Sequence, residues 1–208
     1  MEKTLPRKQR ENLQHREEIL AVAVRLFSQS GFHTVSMQDI AKESEFAVGT
    51  LYNFFQSKEQ LFIELMKTGV DKFRQFLIPI LESDKEEADK LSEFIQAHLD
   101  LIENNLELVR LYMSQYGIQS SVKPMLKDIS AGLEMLVAKK LERIITTGMQ
   151  KHTFRCVPPD IVALSLRATL QAFVLESSEN FDKTKARDGL SKIEEFFLTS
   201  LLKREAGC

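Results

Sequence analysis

Apolar residues recur at helical spacing along almost the whole chain. Ile19, Ala23 and Leu26 follow one another at intervals of three or four positions, and Gly31 then provides a stop signal. Comparable patterns continue toward the C-terminus, and no stretch alternates apolar and polar positions as a half-buried strand does. Only 8 Gly and 5 Pro occur among the 208 residues, too few for the many turns of a sandwich or barrel. The pattern therefore predicts a mostly helical protein.

Two short apolar stretches, at residues 36–44 and 47–54, predict a helix-turn-helix motif. A helix before them and a long helix that begins at the capping box of Ser57 would complete a three-helix core. In this motif the second helix enters the major groove of DNA. Its outward positions here are small, polar or aromatic and never acidic: Ala47, Val48, Gly49, Thr50, Tyr52 and Asn53. The residues alone leave two interpretations, a DNA-binding motif and a three-helix bundle with a neutral surface.

Charge and composition narrow the class of protein. Lys and Arg total 28 against 30 Asp and Glu, and the net charge of −2 excludes binding to nucleic acid through bulk charge. Residues 26–38 and 46–58 contain no acid, so both windows suit a polyanion, although any charged chain has such gaps. No apolar run approaches the ~20 residues of a membrane span, the N-terminus lacks a signal core, and Cys156 and Cys208 suggest no disulfide framework. We expect a cytoplasmic protein with no membrane partner.

The sequence lacks the short motifs of enzymes and metal sites. None of its four histidines belongs to a Glu-x-x-His or H-E-x-x-H pattern, and there is no phosphate-binding glycine loop and no G-x-S-x-G elbow. The two cysteines are not at zinc spacing. We therefore expect no catalytic residue, no metal and no cofactor, while an enzyme without short motifs stays open as an alternative.

Two runs in the N-terminal region resemble the signature of TetR-family transcriptional regulators. They are Gly31-Phe32-His33-Thr34-Val35-Ser36-Met37-Gln38-Asp39-Ile40-Ala41 and Gly49-Thr50-Leu51-Tyr52-Asn53-Phe54-Phe55-Gln56-Ser57-Lys58-Glu59-Gln60-Leu61. The resemblance implies an all-α homodimer of about nine helices per chain. It implies a flexible basic arm at residues 1–11, a three-helix helix-turn-helix DNA-binding domain at 12–57, and an effector-binding and dimerisation domain at 58–208.

The same resemblance implies the residues that bind DNA. The contacts map to Gln38, Ala47, Val48, Thr50, Tyr52 and Asn53, with Lys58 on a phosphate. The chain departs from the family pattern at three positions. Glu45 stands where a glycine is usual in the turn, Ala47 stands where Ser or Thr is usual, and Val48 stands where a polar or basic residue is common. Glu45 predicts a turn of different shape or a slightly strained one, and all three changes affect the number of backbone contacts and the operator sequence.

The remaining helices predict a site for a small effector. Aromatic residues and methionines with few charges suit an apolar or amphipathic ligand, although each of them is also a normal core residue. The candidate effector-binding residues are Phe62, Met66, Phe94, His98, Tyr112, Tyr116, Met125 and Phe173. The resemblance implies that the last two helices form a four-helix dimer bundle, and the candidate dimerisation residues are Phe196, Phe197 and Leu201.

The function expected from the sequence is a ligand-responsive transcriptional regulator, with repression as the usual outcome. The homodimer would bind palindromic double-stranded operator DNA, and an unidentified effector would release it by favouring another spacing of the two recognition helices. Two alternatives stay open. One is a helical ligand-binding protein or enzyme with a vestigial DNA-binding domain, and the other is a protein-interaction module whose basic arm binds an acidic partner.

Overall fold

Nine α-helices form the protein in the computed structural model, which describes residues 6–114 and 123–203. Within these ranges no strand is present, and the only β-bridge joins Phe154 to Leu202. The expected all-α fold with about nine helices is confirmed. The helices are α1 (Arg7–Ser30), α2 (Met37–Glu43), α3 (Val48–Phe54), α4 (Lys58–Glu82), α5 (Glu87–Asn104), α6 (Leu106–Ser114), α7 (Lys123–Gln150), α8 (Pro159–Glu179) and α9 (Lys183–Leu201).

Side-chain caps set the start of the helices that flank the motif. At the start of α2 the Ser36 hydroxyl accepts a hydrogen bond from the Asp39 amide (3.1 Å), and the Asp39 carboxylate accepts one from the Ser36 amide (2.8 Å). Hydrogen bonds from Ser36 hold the pKa of Asp39 below its usual value. At the start of α4, Ser57 accepts from the Gln60 amide, while the Gln60 side chain accepts from the amide of Gln56. The predicted capping box at Ser57 thus differs in one hydrogen bond, because the Gln60 side chain accepts from the amide of Gln56 and not from that of Ser57.

The buried apolar residues form two clusters. The first joins α1, α2 and α3 to the first turns of α4, where Leu61, Phe62, Leu65 and Met66 lie. The second contains the rest of α4 and the helices α5 to α9. Helix α4 contributes residues to both clusters, and the boundary predicted at residue 57 lies immediately before this helix.

The N-terminal helix begins earlier than the sequence pattern indicated. Arg7, Lys8 and Arg10, expected in a flexible arm, form the first turns of α1, where Arg7 pairs with Glu11 at 2.7 Å. A Glu four residues after an Arg faces it across one helical turn, which favours this extension. All of these residues are exposed, so their charge faces solvent.

Helix α6 and helix α4 connect the two parts of the protein. Leu111 on α6 is buried in the N-terminal cluster, and the neighbouring Tyr112 packs against both clusters. Leu108, one turn earlier, lies so close to Gly69 of α4 that an added Cβ there would come within 2.8 Å of it. Arg16 of α1 forms an ion pair with Glu64 of α4. Helix α6 therefore contacts both α1 and α4.

Candidate DNA interface and effector cavity

The turn between α2 and α3 adopts a left-handed conformation at Glu45. Its φ is 59°, in the region that favours glycine. The following amide, that of Phe46, donates to the Ala41 carbonyl at 3.0 Å and closes the turn. Glu45 thus occupies a glycine-like backbone conformation, and the cost for an L-residue there is about 1–2 kcal/mol.

Helix α3 has one buried side and one exposed side. Leu51 and the following Phe55 are fully buried in the N-terminal cluster. Across the helix Gly49 and Asn53 are exposed, as is Ala47 at the cap, and Tyr52 keeps 50% of its surface accessible. An added Cβ at Gly49 would meet nothing within 4 Å. The exposed side therefore has room for another molecule.

The remaining predicted DNA contacts lie around this side. Gln38 is exposed on α2, and Thr50 is half-buried. Val48 is also half-buried, because it packs against the N-terminal cluster. Part of its surface is consequently unavailable to a thymine methyl, which the sequence pattern did not indicate.

Lys58 is held by the protein's own backbone. Its ammonium group donates to the carbonyls of Phe32 and Val35, both at 2.8 Å, and lies 4.5 Å from the centre of the Phe32 ring. These contacts tie the start of α4 to the loop between α1 and α2. They account for two of the three ammonium hydrogens, so Lys58 is both a structural clamp and a positive charge beside α3.

A mostly apolar cavity of about 130 Å³ lies inside the second cluster. Three of the predicted effector residues line it, namely Phe94, His98 and Tyr112. Phe73, an aromatic residue of the central helices that also suits an apolar ligand by its sequence, lines it as well. The other lining residues were not singled out from the sequence as effector residues: Leu77, Leu101, Val109, Leu133, Glu134, Val137, Arg167, Leu170, Gln171 and Val174. Most are aliphatic residues on inward helix faces, and the sequence pattern does not distinguish such residues from ordinary core.

The charged groups of the cavity wall interact with one another. Tyr112 donates to Glu134 at 3.2 Å, and Glu134 lies 3.8 Å from the Arg167 guanidinium. Both charged side chains keep accessible surface, 41% for Glu134 and 26% for Arg167. This polar side of the cavity is suited to the head group of an amphipathic ligand, and the apolar wall to its body.

His98 is a half-buried polar group of the cavity wall. Its Nδ1 lies 2.7 Å from the Phe94 carbonyl, and its ring meets the Phe94 ring edge-on at 5.0 Å between centres. Burial lowers the pKa of His98 to about 4, so the imidazole is neutral at physiological pH.

Other predicted effector residues lie elsewhere. Phe62 is fully buried against Phe27 and Phe32, and Met66 lies in the same N-terminal cluster, so both are core residues of that part and not cavity residues. Phe173 is half-buried on α8 and packs over Gly189 of α9, away from the cavity lining. Tyr116 and the side chain of Met125 lie outside the described residues.

The predicted dimerisation residues also divide into two kinds. Phe197 and Leu201 are buried in the chain's own core. Phe196 is 68% exposed. Further large apolar residues are exposed on α8: Ile161, Leu164 and Leu175.

Helix α8 is apolar on both sides. Its inner side carries buried residues of the core, and its outer side carries the exposed residues just named. By length and composition it is the one described helix that qualifies as a membrane span, a test that core helices of other proteins also pass. In the described ranges no group of three or more His, Cys, Asp or Glu side chains is placed to hold a metal ion.

The chain is similar in sequence to known bacterial regulatory proteins. A family model described as "Bacterial regulatory proteins, tetR family" matches residues 19–65. The fatty acid metabolism regulator protein of Bacillus subtilis is 30% identical over 179 residues, which cover 71% of this chain and 88% of that protein.

Solved structures show the same fold. FadR of Bacillus subtilis in complex with stearoyl-CoA superposes with a TM-score of 0.72 at 20% identity, covering 88% of this chain and 98% of that one. AibR in complex with isovaleryl coenzyme A and operator DNA superposes with a TM-score of 0.68 at 21% identity, covering 85% and 95%.

Proposed function

Because the chain belongs to the TetR family of bacterial regulatory proteins, we propose that its α3 helix reads an operator and that the cavity binds the effector that controls it. The chain is a ligand-responsive transcriptional regulator. The observation that carries the proposal for DNA is the two-sided α3 helix, with Leu51 buried in the core and Tyr52 and Asn53 exposed on the other side.

The proposed contacts follow from this geometry. Asn53 and Tyr52 face base edges, and a side-chain amide suits the paired donor and acceptor of adenine. Gln38, Ala47 and Thr50 lie at the edges of the same surface, whereas Val48 contributes only its outer part. Lys58 adds one charge to a phosphate, and the exposed basic residues Arg7, Lys8 and Arg10 add charge at the start of α1.

We propose that two chains associate through the last two helices. The exposed Ile161, Leu164 and Leu175 of α8 and Phe196 of α9 form apolar surface that a monomer would leave in water. A two-fold interface would bury the same surface on both chains and hold two α3 helices at a fixed spacing. The homodimer would then recognise a palindrome, with half-sites about one helical turn apart.

The proposed effector is a small apolar or amphipathic molecule. The cavity wall is apolar with a polar side at Glu134 and Arg167, which suits a hydrocarbon body with a polar head. The apolar body of the effector is proposed to be an acyl group, because similar structures contain stearoyl-CoA and isovaleryl coenzyme A.

The path from cavity to DNA runs through α6. Tyr112 lines the cavity, and its neighbour Leu111 is buried against the DNA-binding part. A ligand that moves Tyr112 would shift Leu111 and with it α1. A coupling of about 1–3 kcal/mol would weaken operator binding about 5- to 150-fold, with repression lifted as the result.

Selection of bound duplexes from a random pool by the full-length chain tests this function. We expect a palindromic sequence that binds two chains and whose affinity falls with rising salt. Acyl-CoA of graded chain length is then added to the complex, and at least one length should release the DNA. Enrichment of no sequence would contradict the DNA-binding role.

The rival interpretation as an enzyme or ligand carrier has less support, because the relatives are regulators by name. Turnover of a candidate acyl thioester together with no specific DNA binding would favour it. We propose that the protein acts in the cytoplasm, where a bacterial operator is found.

A further inference from the structure

In the proposed effector cavity, a backbone carbonyl of α5 determines which nitrogen of His98 carries the hydrogen. Nδ1 of His98 lies 2.7 Å from the carbonyl oxygen of Phe94, one turn earlier on α5. A carbonyl oxygen only accepts hydrogen bonds, so Nδ1 must carry the hydrogen. In a neutral ring the other nitrogen, Nε2, then carries a lone pair and only accepts.

The neutral state follows from the surroundings. His98 is half-buried and lies among apolar residues of the cavity wall, among them Phe94 and Leu101. Burial lowers its pKa to about 4, which keeps the ring uncharged at neutral pH. Among the described residues, no hydrogen-bond donor contacts Nε2. His98 lines the mostly apolar cavity, and within the described ranges its hydrogen bond is at Nδ1, which leaves Nε2 for a ligand.

We infer that the effector carries a hydroxyl group on the part enclosed by the cavity and donates its hydrogen to Nε2 of His98. The inference rests on the proposed function, which places the effector in this cavity, and it adds the chemical class of the ligand. A hydroxyl is the smallest donor that an otherwise apolar molecule can carry, and neutral Nε2 offers it a lone pair.

The cavity should prefer a ligand with a hydroxyl group to a hydrocarbon ligand, because an acceptor covered without a donor costs free energy. A purely hydrocarbon ligand would displace water from Nε2 and leave the lone pair without a donor. The loss corresponds to about 5- to 150-fold in affinity. Removal of this nitrogen should lower the preference for the hydroxyl, because the more apolar molecule loses less on leaving water.

Phenol and toluene are suitable probes for this atom. They have nearly the same shape and differ by a hydroxyl in place of a methyl group. An engineered cavity of about 150 Å³ binds benzene, and this cavity is of similar size at about 130 Å³. Both probes therefore suit the volume of this cavity without an acyl chain or a head group.

The experiment measures the affinity of both probes for the full-length chain by calorimetry. We expect the ratio of phenol affinity to toluene affinity to fall about tenfold or more in His98→Phe, which keeps a ring and removes the acceptor. The matched control is Val137→Ala, which alters the apolar wall and leaves His98 in place. In the control both affinities should change together and their ratio should stay constant.

A second measurement needs no variant. The ¹⁵N resonance of His98 Nε2 in the wild-type chain should shift when phenol binds and stay nearly unchanged when toluene binds. An equal ratio in wild type and His98→Phe, no shift with phenol, or no binding of either probe would overturn the inference. Selection of an operator by the same chain tests the proposed function separately, so a failure of one is distinguishable from a failure of the other.

Discussion

Acidification should destabilise the protein through His98 in particular. The folded chain keeps this imidazole neutral, with a pKa of about 4, whereas the unfolded chain releases it to an ordinary value near 6.5. Its contribution to the free energy of unfolding is therefore fully present above pH 6.5. It is lost as the pH falls toward 4, because only the unfolded state takes up the proton.

The size of the effect follows from the two pKa values. Between pH 7 and pH 5 the linkage relation gives a loss of about 2 kcal/mol from this residue alone. Other groups titrate over the same range, so the quantity to measure is the difference between the wild type and His98→Phe. The matched control is His33→Phe, which removes an exposed histidine by the same substitution.

Urea unfolding followed by far-UV circular dichroism at both pH values measures this difference, with the protein concentration held constant because association affects stability. We expect the wild type to lose about 2 kcal/mol more than His98→Phe, and His33→Phe to behave as the wild type does. Equal losses in the wild type and His98→Phe would refute the neutral state of His98 in the folded chain.

Three further substitutions test the structure around the DNA-binding part and the second cluster. Glu45→Gly should raise the free energy of unfolding by up to about 1 kcal/mol, because a left-handed residue loses its strain and only part of that gain is offset by chain entropy; an unchanged urea midpoint would contradict this. Gly148→Ala should lower the free energy of unfolding by about 1–3 kcal/mol, since the new Cβ overlaps the buried Phe154 ring. The control Gly49→Ala places its Cβ in open space and should raise the free energy of unfolding by up to about 1 kcal/mol. Lys58→Ala should lower the salt slope of operator binding by about one unit for all sequences alike, and an unchanged slope would exclude a phosphate contact.

Helices and their caps could be predicted from the sequence because they depend on local patterns. Ser36 followed by Asp39, and Ser57 followed by Gln60, are caps that act within one turn. The start of α1 was placed too late, since the charged residues at 7–11 carry no apolar periodicity. The Arg7–Glu11 pair, four residues apart, is nevertheless compatible with a helix at these positions.

The cavity could be predicted only in part. Apolar periodicity shows that a residue faces inward, and it does not show whether its neighbours fill the space. Phe62 and Phe94 have the same sequence signal, yet Phe62 fills the core under α3 and Phe94 lines the cavity. The difference arises from contacts between helices distant along the chain.

The two adjacent phenylalanines of α9 illustrate the same limit at the surface. Neighbouring residues on a helix point about 100° apart, so Phe196 is 68% exposed while Phe197 is 5% exposed. An excess of apolar residues near the C-terminus predicted an interface, but the choice between the two required the packing of α9 against α5. The sequence predicted a turn of different shape or a slightly strained one at Glu45, and its φ of 59° keeps the left-handed conformation of a glycine, which is the strained alternative.

The central claim is that the exposed side of α3 reads the DNA sequence, and a substitution of Asn53 tests it most directly. The affinities of the wild type and Asn53→Ala should be measured for the selected operator and for every single-base change within one half-site. We predict that the variant loses discrimination at one base pair, worth about 1–3 kcal/mol, and keeps the wild-type preference elsewhere. A loss of affinity that is uniform over all bases would contradict the claim that α3 reads the DNA sequence.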